Sequence, residues 1–198
     1  MTDRSVFHYD FSSPFSYLAA ERISGLFAEA GAEPPIWQPI SFGHLIGAIG
    51  KTPWSMGPGK EAGKAEVERR AAERGLPAVR WPRGWPRETY SLIPLRAAIF
   101  AAQSGRIIAF TLAAFRQAFA AGRELSDLDN VLLAAAACEL HPNAVVKGIE
   151  TRAVKEQLKQ ATEEALGRGV TGVPTVAVGE QLYWGDDRLE SAAAAAAG

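Results

Sequence analysis

Signals for β-strand lie only at the two ends of this chain, and the long stretch between them carries none. Residues 5–11, SVFHYDF, mix β-branched and aromatic side chains in the manner of a strand, and a second short strand is predicted over residues 35–40. Strand chemistry returns only at TVAV, residues 175–178, and at QLYW, residues 181–184. Between these last two, Gly179-Glu180 puts glycine at the first central position, which suits a two-residue type II′ hairpin.

The rest reads as helix and loop. The first strand runs into Ser12-Ser13-Pro14, after which Phe15, Leu18, Ala19, Ile23, Leu26 and Phe27 fall at helical spacing up to a stop at Gly31. Ser13 is the predicted N-cap and Pro14 the first helical residue, where the missing N–H costs nothing. Residues 57–86 include GKEAGKAEVERRAAERG, whose only large apolar residue is Val67: a solvated helix or a mobile flap over a pocket. WPRGWPRETY is predicted to be irregular. Helices are then predicted near residues 91–104, 108–121, 127–139 and 151–167, and a last helix opens at Asp186. The order strand-helix-strand, helices, strand-strand-helix matches an α/β fold of thioredoxin type. Residues 1–42 and 168–198 would form the thioredoxin-like domain (β-α-β … β-β-α), and residues 43–167 an all-helical insertion.

Composition narrows the functions. With 198 residues and a net charge of −1, the chain has neither the basic face that nucleic acid requires nor a polybasic run for an anionic membrane surface. No window approaches the roughly 18 apolar residues of a membrane span. Charges at Asp3 and Arg4 and the lack of an apolar h-region argue against a secretory segment, so a soluble, cytoplasmic protein is expected. Cys138 is the single cysteine, which excludes an internal disulfide and a C-x-x-C pair, and with three scattered histidines no metal-ligand cluster forms. Its setting, LLAAAACEL, is that of a small core residue.

Three segments could carry chemistry. Ser13 sits beside the unpaired N–H groups and positive end of a helix. That environment lowers a thiol's pKa from about 8.5, but a hydroxyl starts too high to gain from it. Ser13 could instead donate a hydrogen bond to a thiolate supplied from outside, or simply cap the helix. Pro174, directly before a strand, cannot donate to the ladder and suits a cis turn, which would leave the N–H and C=O of Val173 for an extended, peptide-like ligand. A plain loop entry reads the same way. Asp186 and Asp187, in Trp184-Gly185-Asp186-Asp187-Arg188, could cap the last helix or hold an ammonium group. Lys51 and Lys60 could meet ligand carboxylates or lie in solvent.

Taken together, DFSSPFSYLA near the start, LKQATEEALGRGV, and GVTGVPTVAVGEQLYWGDDRL near the end resemble the 2-hydroxychromene-2-carboxylate isomerases and the related kappa-class glutathione transferases, over nearly the whole chain. The resemblance implies glutathione as cofactor. Ser13 would contact its sulfur and favour the thiolate, and Val173 before Pro174 would pair its backbone with the cysteinyl part. Asp186 and Asp187 would hold the γ-glutamyl end, and a lysine at or near Lys60 the glycine carboxylate. It implies isomerisation by reversible thiolate addition to an unsaturated, ring-derived carboxylate in aromatic catabolism, and a homodimer. Phe15, Phe42, Lys51, Trp81 and Trp85 are the expected lining of the electrophile site.

Two departures fall in that site. Gly50-Lys51-Thr52-Pro53 stands where relatives often have Gly-Asn-x-Pro, and Ala62 and Arg70 replace familiar aromatic positions. The alternatives are a kappa-like transferase, which consumes glutathione where an isomerase conserves it, and a non-catalytic glutathione- or peptide-binding module. A disulfide oxidoreductase lacks its second cysteine.

Overall fold

A computed structural model describes residues 4–198, so Asp3 and the first residues of the predicted amino-terminal unit lie outside the described residues. Four strands form one sheet in the order β2-β1-β3-β4: β1 (Val6–Tyr9), β2 (Ile36–Pro39), β3 (Thr175–Val178) and β4 (Gln181–Trp184). β1 lies parallel to β2 and antiparallel to β3, with Phe7 opposite both Trp37 and Val176, while β3 and β4 form a hairpin. The two ends of the chain therefore close on each other at the centre of the sheet. The hairpin has the expected form: Val178 pairs with Gln181, and Gly179 alone of the two loop residues has a positive φ, +55°.

Side chains alternate across the sheet and divide its two faces. Phe7, Tyr9 and Trp37 lie on one face with ring centroids 5.1 to 5.9 Å apart. They belong to the main core, which continues through Phe110, Phe115 and Phe119 of the helical segment. There the Tyr9 hydroxyl shares a 2.7 Å hydrogen bond with Thr111, and burial raises its pKa far above the ordinary tyrosine value. The other face carries His8 and Leu182, and is covered by a smaller cluster containing Ile40, Leu45, Ala161 and Ala165.

The helices are α1 (Pro14–Ala20), α2 (Ile23–Glu29), α3 (Phe42–Ile49), α4 (Lys60–Glu73), α5 (Leu92–Ala102), α6 (Ile107–Phe115), α7 (Leu128–Ala137), α8 (Pro142–Glu150), α9 (Arg152–Gly167) and α10 (Leu189–Ala197). The single helix predicted up to Gly31 is two. It breaks at Arg22, whose guanidinium reaches the Asp186 carbonyl and the Glu190 carboxylate near the other end of the chain. The charged segment is a helix, α4, anchored by buried Val67 and Ala71. The stretch predicted over 108–121 is α6 followed by a π-helical turn, Arg116–Ala120. Two helices escaped prediction. α3 is short and holds two glycines, with Ser41 as its cap. In α8, Pro142 is not a break but the first helical residue, and His141 Nδ1 accepts the Asn143 N–H at 3.2 Å as the cap. Among the described residues no helix is long and apolar enough to cross a membrane.

Candidate active site

β1 delivers its C-terminal end to a sharp turn in which Ser13 N donates to the Asp10 carbonyl at 3.1 Å, and α1 starts there. Ser13 is the N-cap, with extended φ/ψ of −95° and 114°; its Oγ accepts the Ser16 N–H at 3.2 Å and donates to the Val173 carbonyl at 3.3 Å. The hydroxyl is therefore held by a helix N–H on its acceptor side, while its proton rests in a long, weak bond that a better acceptor can replace. Val173 precedes Pro174 across a cis peptide bond, and among the described residues no acceptor takes the Val173 N–H.

Ser13, Val173 and Pro174 line one cavity of about 400 Å³, with Arg70 and Asp187 on its walls. Of the residues expected around the electrophile, Phe15, Phe42, Lys51 and Trp85 line it too. Trp54, which the sequence did not single out, completes an aromatic wall: its ring lies 5.6 Å from that of Phe15 and 5.7 Å from that of Trp85. Trp81 stands behind this wall, 4.5 Å from Trp85, with its Nε1 donating to Glu68 and Lys64 over its ring, and it does not line the cavity. Lys60 is also elsewhere. As the first residue of α4 it borders a separate depression with Arg83 and Glu124. The cations that the fold brings to the cavity are Lys51 and Arg70.

The two aspartates separate in role. Asp186 is buried, and its carboxylate is taken by Arg70 and Arg74, each at 2.5 Å, an ion pair that ties the start of α10 to α4. Asp186 lines the cavity as well, with the two guanidinium groups beside its carboxylate. Asp187 is exposed, 3.7 Å from Arg70, and keeps oxygens free at the cavity rim. Arg70 itself lies over the Phe15 ring at 5.4 Å.

Asp10 was missed. It is fully buried, and its two oxygens accept four hydrogen bonds. Oδ1 takes the Ser12 N–H at 2.7 Å and the Ser12 hydroxyl at 2.8 Å. Oδ2 takes the Phe42 N–H at 2.8 Å and the Ser91 hydroxyl at 3.0 Å. Burial pushes its pKa up, and these hydrogen bonds offset that only in part. One side chain thereby fixes the Ser12-Ser13 turn, the start of α3 and the start of α5 around the cavity, and Trp85 Nε1 adds a 3.0 Å bond to the Ser12 carbonyl. The signal available in the sequence was a lone carboxylate between the two apolar rings Tyr9 and Phe11.

The only thiol is remote in chemistry as well as in sequence. Cys138, at the end of α7, is buried against the Ala134 and Ala135 carbonyls, and burial raises its pKa. Sheet order, the Ser13-Pro14 start of α1 and the cis proline before β3 define a thioredoxin-type protein. The chain belongs to the family described as the DSBA-like thioredoxin domain, whose model matches residues 6–197. It is 28% identical over 193 residues to the 2-hydroxychromene-2-carboxylate isomerase of Sphingobium xenophagum, covering 96% of both chains. With the enzyme of that name from Pseudomonas putida it shares 26% identity over 187 residues, 92% of this chain and 89% of that one. A solved structure of a selenomethionine-labelled 2-hydroxychromene-2-carboxylate isomerase superposes with a TM-score of 0.83 at 25% identity, over 94% of this chain and 91% of that one. The cytosolic disulfide reductase DsbM of Pseudomonas aeruginosa shares the fold alone, with a TM-score of 0.61 at 18% identity and coverage of 91% and 88%.

Proposed function

We propose that this protein is a glutathione-dependent isomerase of an unsaturated, ring-derived carboxylate; the names of its relatives support the isomerase part. The observation that carries the reading is the meeting of the Ser13 hydroxyl with the Val173 backbone in one cavity, in a chain with no cysteine there. The donor set fits a tripeptide thiol. The free Val173 N–H and the neighbouring carbonyl are the pair an extended peptide uses, Asp187 offers a carboxylate to an ammonium group, and Lys51 and Arg70 offer cations to carboxylates.

Bound glutathione would supply the nucleophile for reversible addition to a conjugated carbon, and would be regenerated. The chain's own part follows from its geometry. Ser13 turns its proton from the Val173 carbonyl to the sulfur and so favours the anion, while the Ser16 N–H and the first turn of α1 polarise that hydroxyl. Trp54, Trp85 and Phe15 hold a flat electrophile and keep water from it. Lys51 supplies a cation for charge that develops on the substrate.

Titration of bound glutathione by thiolate absorbance in the ultraviolet tests this. A hydrogen bond to a charged group contributes roughly 1.5–3 kcal/mol, so the thiol of wild type should titrate about one to two pH units below that of Ser13→Ala. Equal titration in the two proteins would reduce Ser13 to a helix cap and leave a binding module. Failure of glutathione to bind would end the enzyme reading.

A further inference from the structure

A second chamber, of about 520 Å³, opens from the main cavity between α3 and residues 86–92. Ser12, Phe42, Lys51 and Pro53 line both spaces, so the two form one continuous trough that starts at Ser13. Gly43, Thr89 and Tyr90 line the second chamber only. Three features give it a chemical character. No carboxylate lines it, and Lys51 stands where it meets the main cavity. Its rim exposes large apolar side chains: Tyr90 is 71% exposed, Met56 43% and Leu92 42%. The Thr89 hydroxyl is sunk in its wall with no hydrogen-bond partner, a state that costs about 1–3 kcal/mol and that an acceptor in the chamber would relieve through rotation of the side chain.

We propose that this chamber binds the far arm of an acidic substrate, an aryl arm carrying an oxygen acceptor, while the reacting end lies beside Ser13. Resting on the isomerase reading, the assignment sets the substrate class: an elongated aryl carboxylate with a second ring, held by Lys51, the apolar rim and the Thr89 hydroxyl. Size agrees, because each space alone falls within the 300–1,000 Å³ typical of small-molecule sites, so the trough has room for a ligand that fills both.

Gly43 provides the test. A Cβ built there meets nothing within 4 Å, so Gly43→Leu adds bulk at the chamber wall with its Cβ free of a clash and improves the helix propensity of α3. The probes are trans-cinnamate, which has one ring, and trans-4-(4-acetylphenyl)cinnamate, which adds a second ring and a carbonyl. Their binding is measured without glutathione by quenching of tryptophan fluorescence. Wild type should bind the longer acid at least about tenfold more tightly, Gly43→Leu should abolish that preference while holding cinnamate as before, and Thr89→Val should lower it about threefold to tenfold. No preference in wild type, or a preference that survives Gly43→Leu, overturns the proposal. An unchanged preference in Thr89→Val removes the hydroxyl from it. Glutathione titrated against the same proteins separates the two claims: if glutathione binds but the longer acid gains nothing, the chamber assignment fails and the isomerase reading stands.

Discussion

Asp10 shows how one buried carboxylate can hold a site together without touching ligand. All four of its partners sit as donors, which is the arrangement an ionised carboxylate accepts. Asparagine keeps the shape but replaces one oxygen with a donor. In either orientation that amide would face a backbone N–H, of Ser12 or of Phe42, which cannot reverse its role. Asp10→Asn should therefore lower stability by about 3 kcal/mol, read from the urea midpoint, with glutathione affinity falling as the turn before Ser13 loosens. An unchanged midpoint would remove Asp10 from this account. His8 gives a pH signature. Its ring is buried on the far face of the sheet, with neither nitrogen partnered, and burial together with the nearby charge of Arg168 lowers its pKa to about 4. The folded state thus binds this proton less readily than the unfolded chain, whose histidine titrates near 6.5. The neutral ring's contribution is intact above pH 6.5 and lost as pH falls toward 4, a change of roughly 3 kcal/mol that His8→Leu should abolish in urea unfolding followed over that range.

Among elements, the pairing of α4 with the Trp54–Met56 turn shapes the cavity most visibly. A Cβ on Gly63 would stand 2.2 Å from the Trp54 ring, so only glycine lets that indole reach the wall beside Phe15 and Trp85. Gly63→Ala gains helix propensity, yet it should displace Trp54, change the tryptophan emission and weaken glutathione binding about threefold to tenfold in the same titration. Unchanged emission and binding would mean that the wall does not depend on Trp54. This contact also marks where sequence reading runs out. The strands, the Ser13-Pro14 helix start and the hairpin were legible because each depends on local chemistry: alternation, a cap, a glycine in a two-residue loop. Ser13, Val173, Phe15, Phe42, Lys51 and Trp85 were legible as members of one site for the same reason, or by resemblance. Lys60 and Trp81 depart from their expected places for tertiary reasons, while Asp186 lines the cavity as expected. Lys60, at the start of α4, borders the depression beside Arg83 and Glu124, and Trp85 stands between Trp81 and the cavity. Helix α8 was lost to reading Pro142 as a terminator when its position fits an initiator equally well.

For the whole molecule, the consequence of a sheet shared by both ends is cooperativity. β1 from one end pairs with β3 from the other, and the rings of Phe7, Tyr9 and Phe11 sit in one core with Phe110 and Phe115 of the helical segment. Far-ultraviolet circular dichroism and tryptophan fluorescence should therefore report a single urea transition with the same midpoint, whereas separate midpoints would show that the helical segment stands apart from the sheet. The proposed function has the same whole-molecule character, because Ser13 and Val173 meet only when the ends do. The most direct measurement is turnover of 2-hydroxychromene-2-carboxylate, the compound named for its relatives, with glutathione far below the substrate concentration. Substrate and isomer are followed by nuclear magnetic resonance and free thiol by titration. The account expects many turnovers per glutathione, no change in total thiol, and loss of the reaction when glutathione is omitted. Consumption of one thiol per product would make the protein a transferase, and turnover that is indifferent to glutathione would contradict the role given to Ser13.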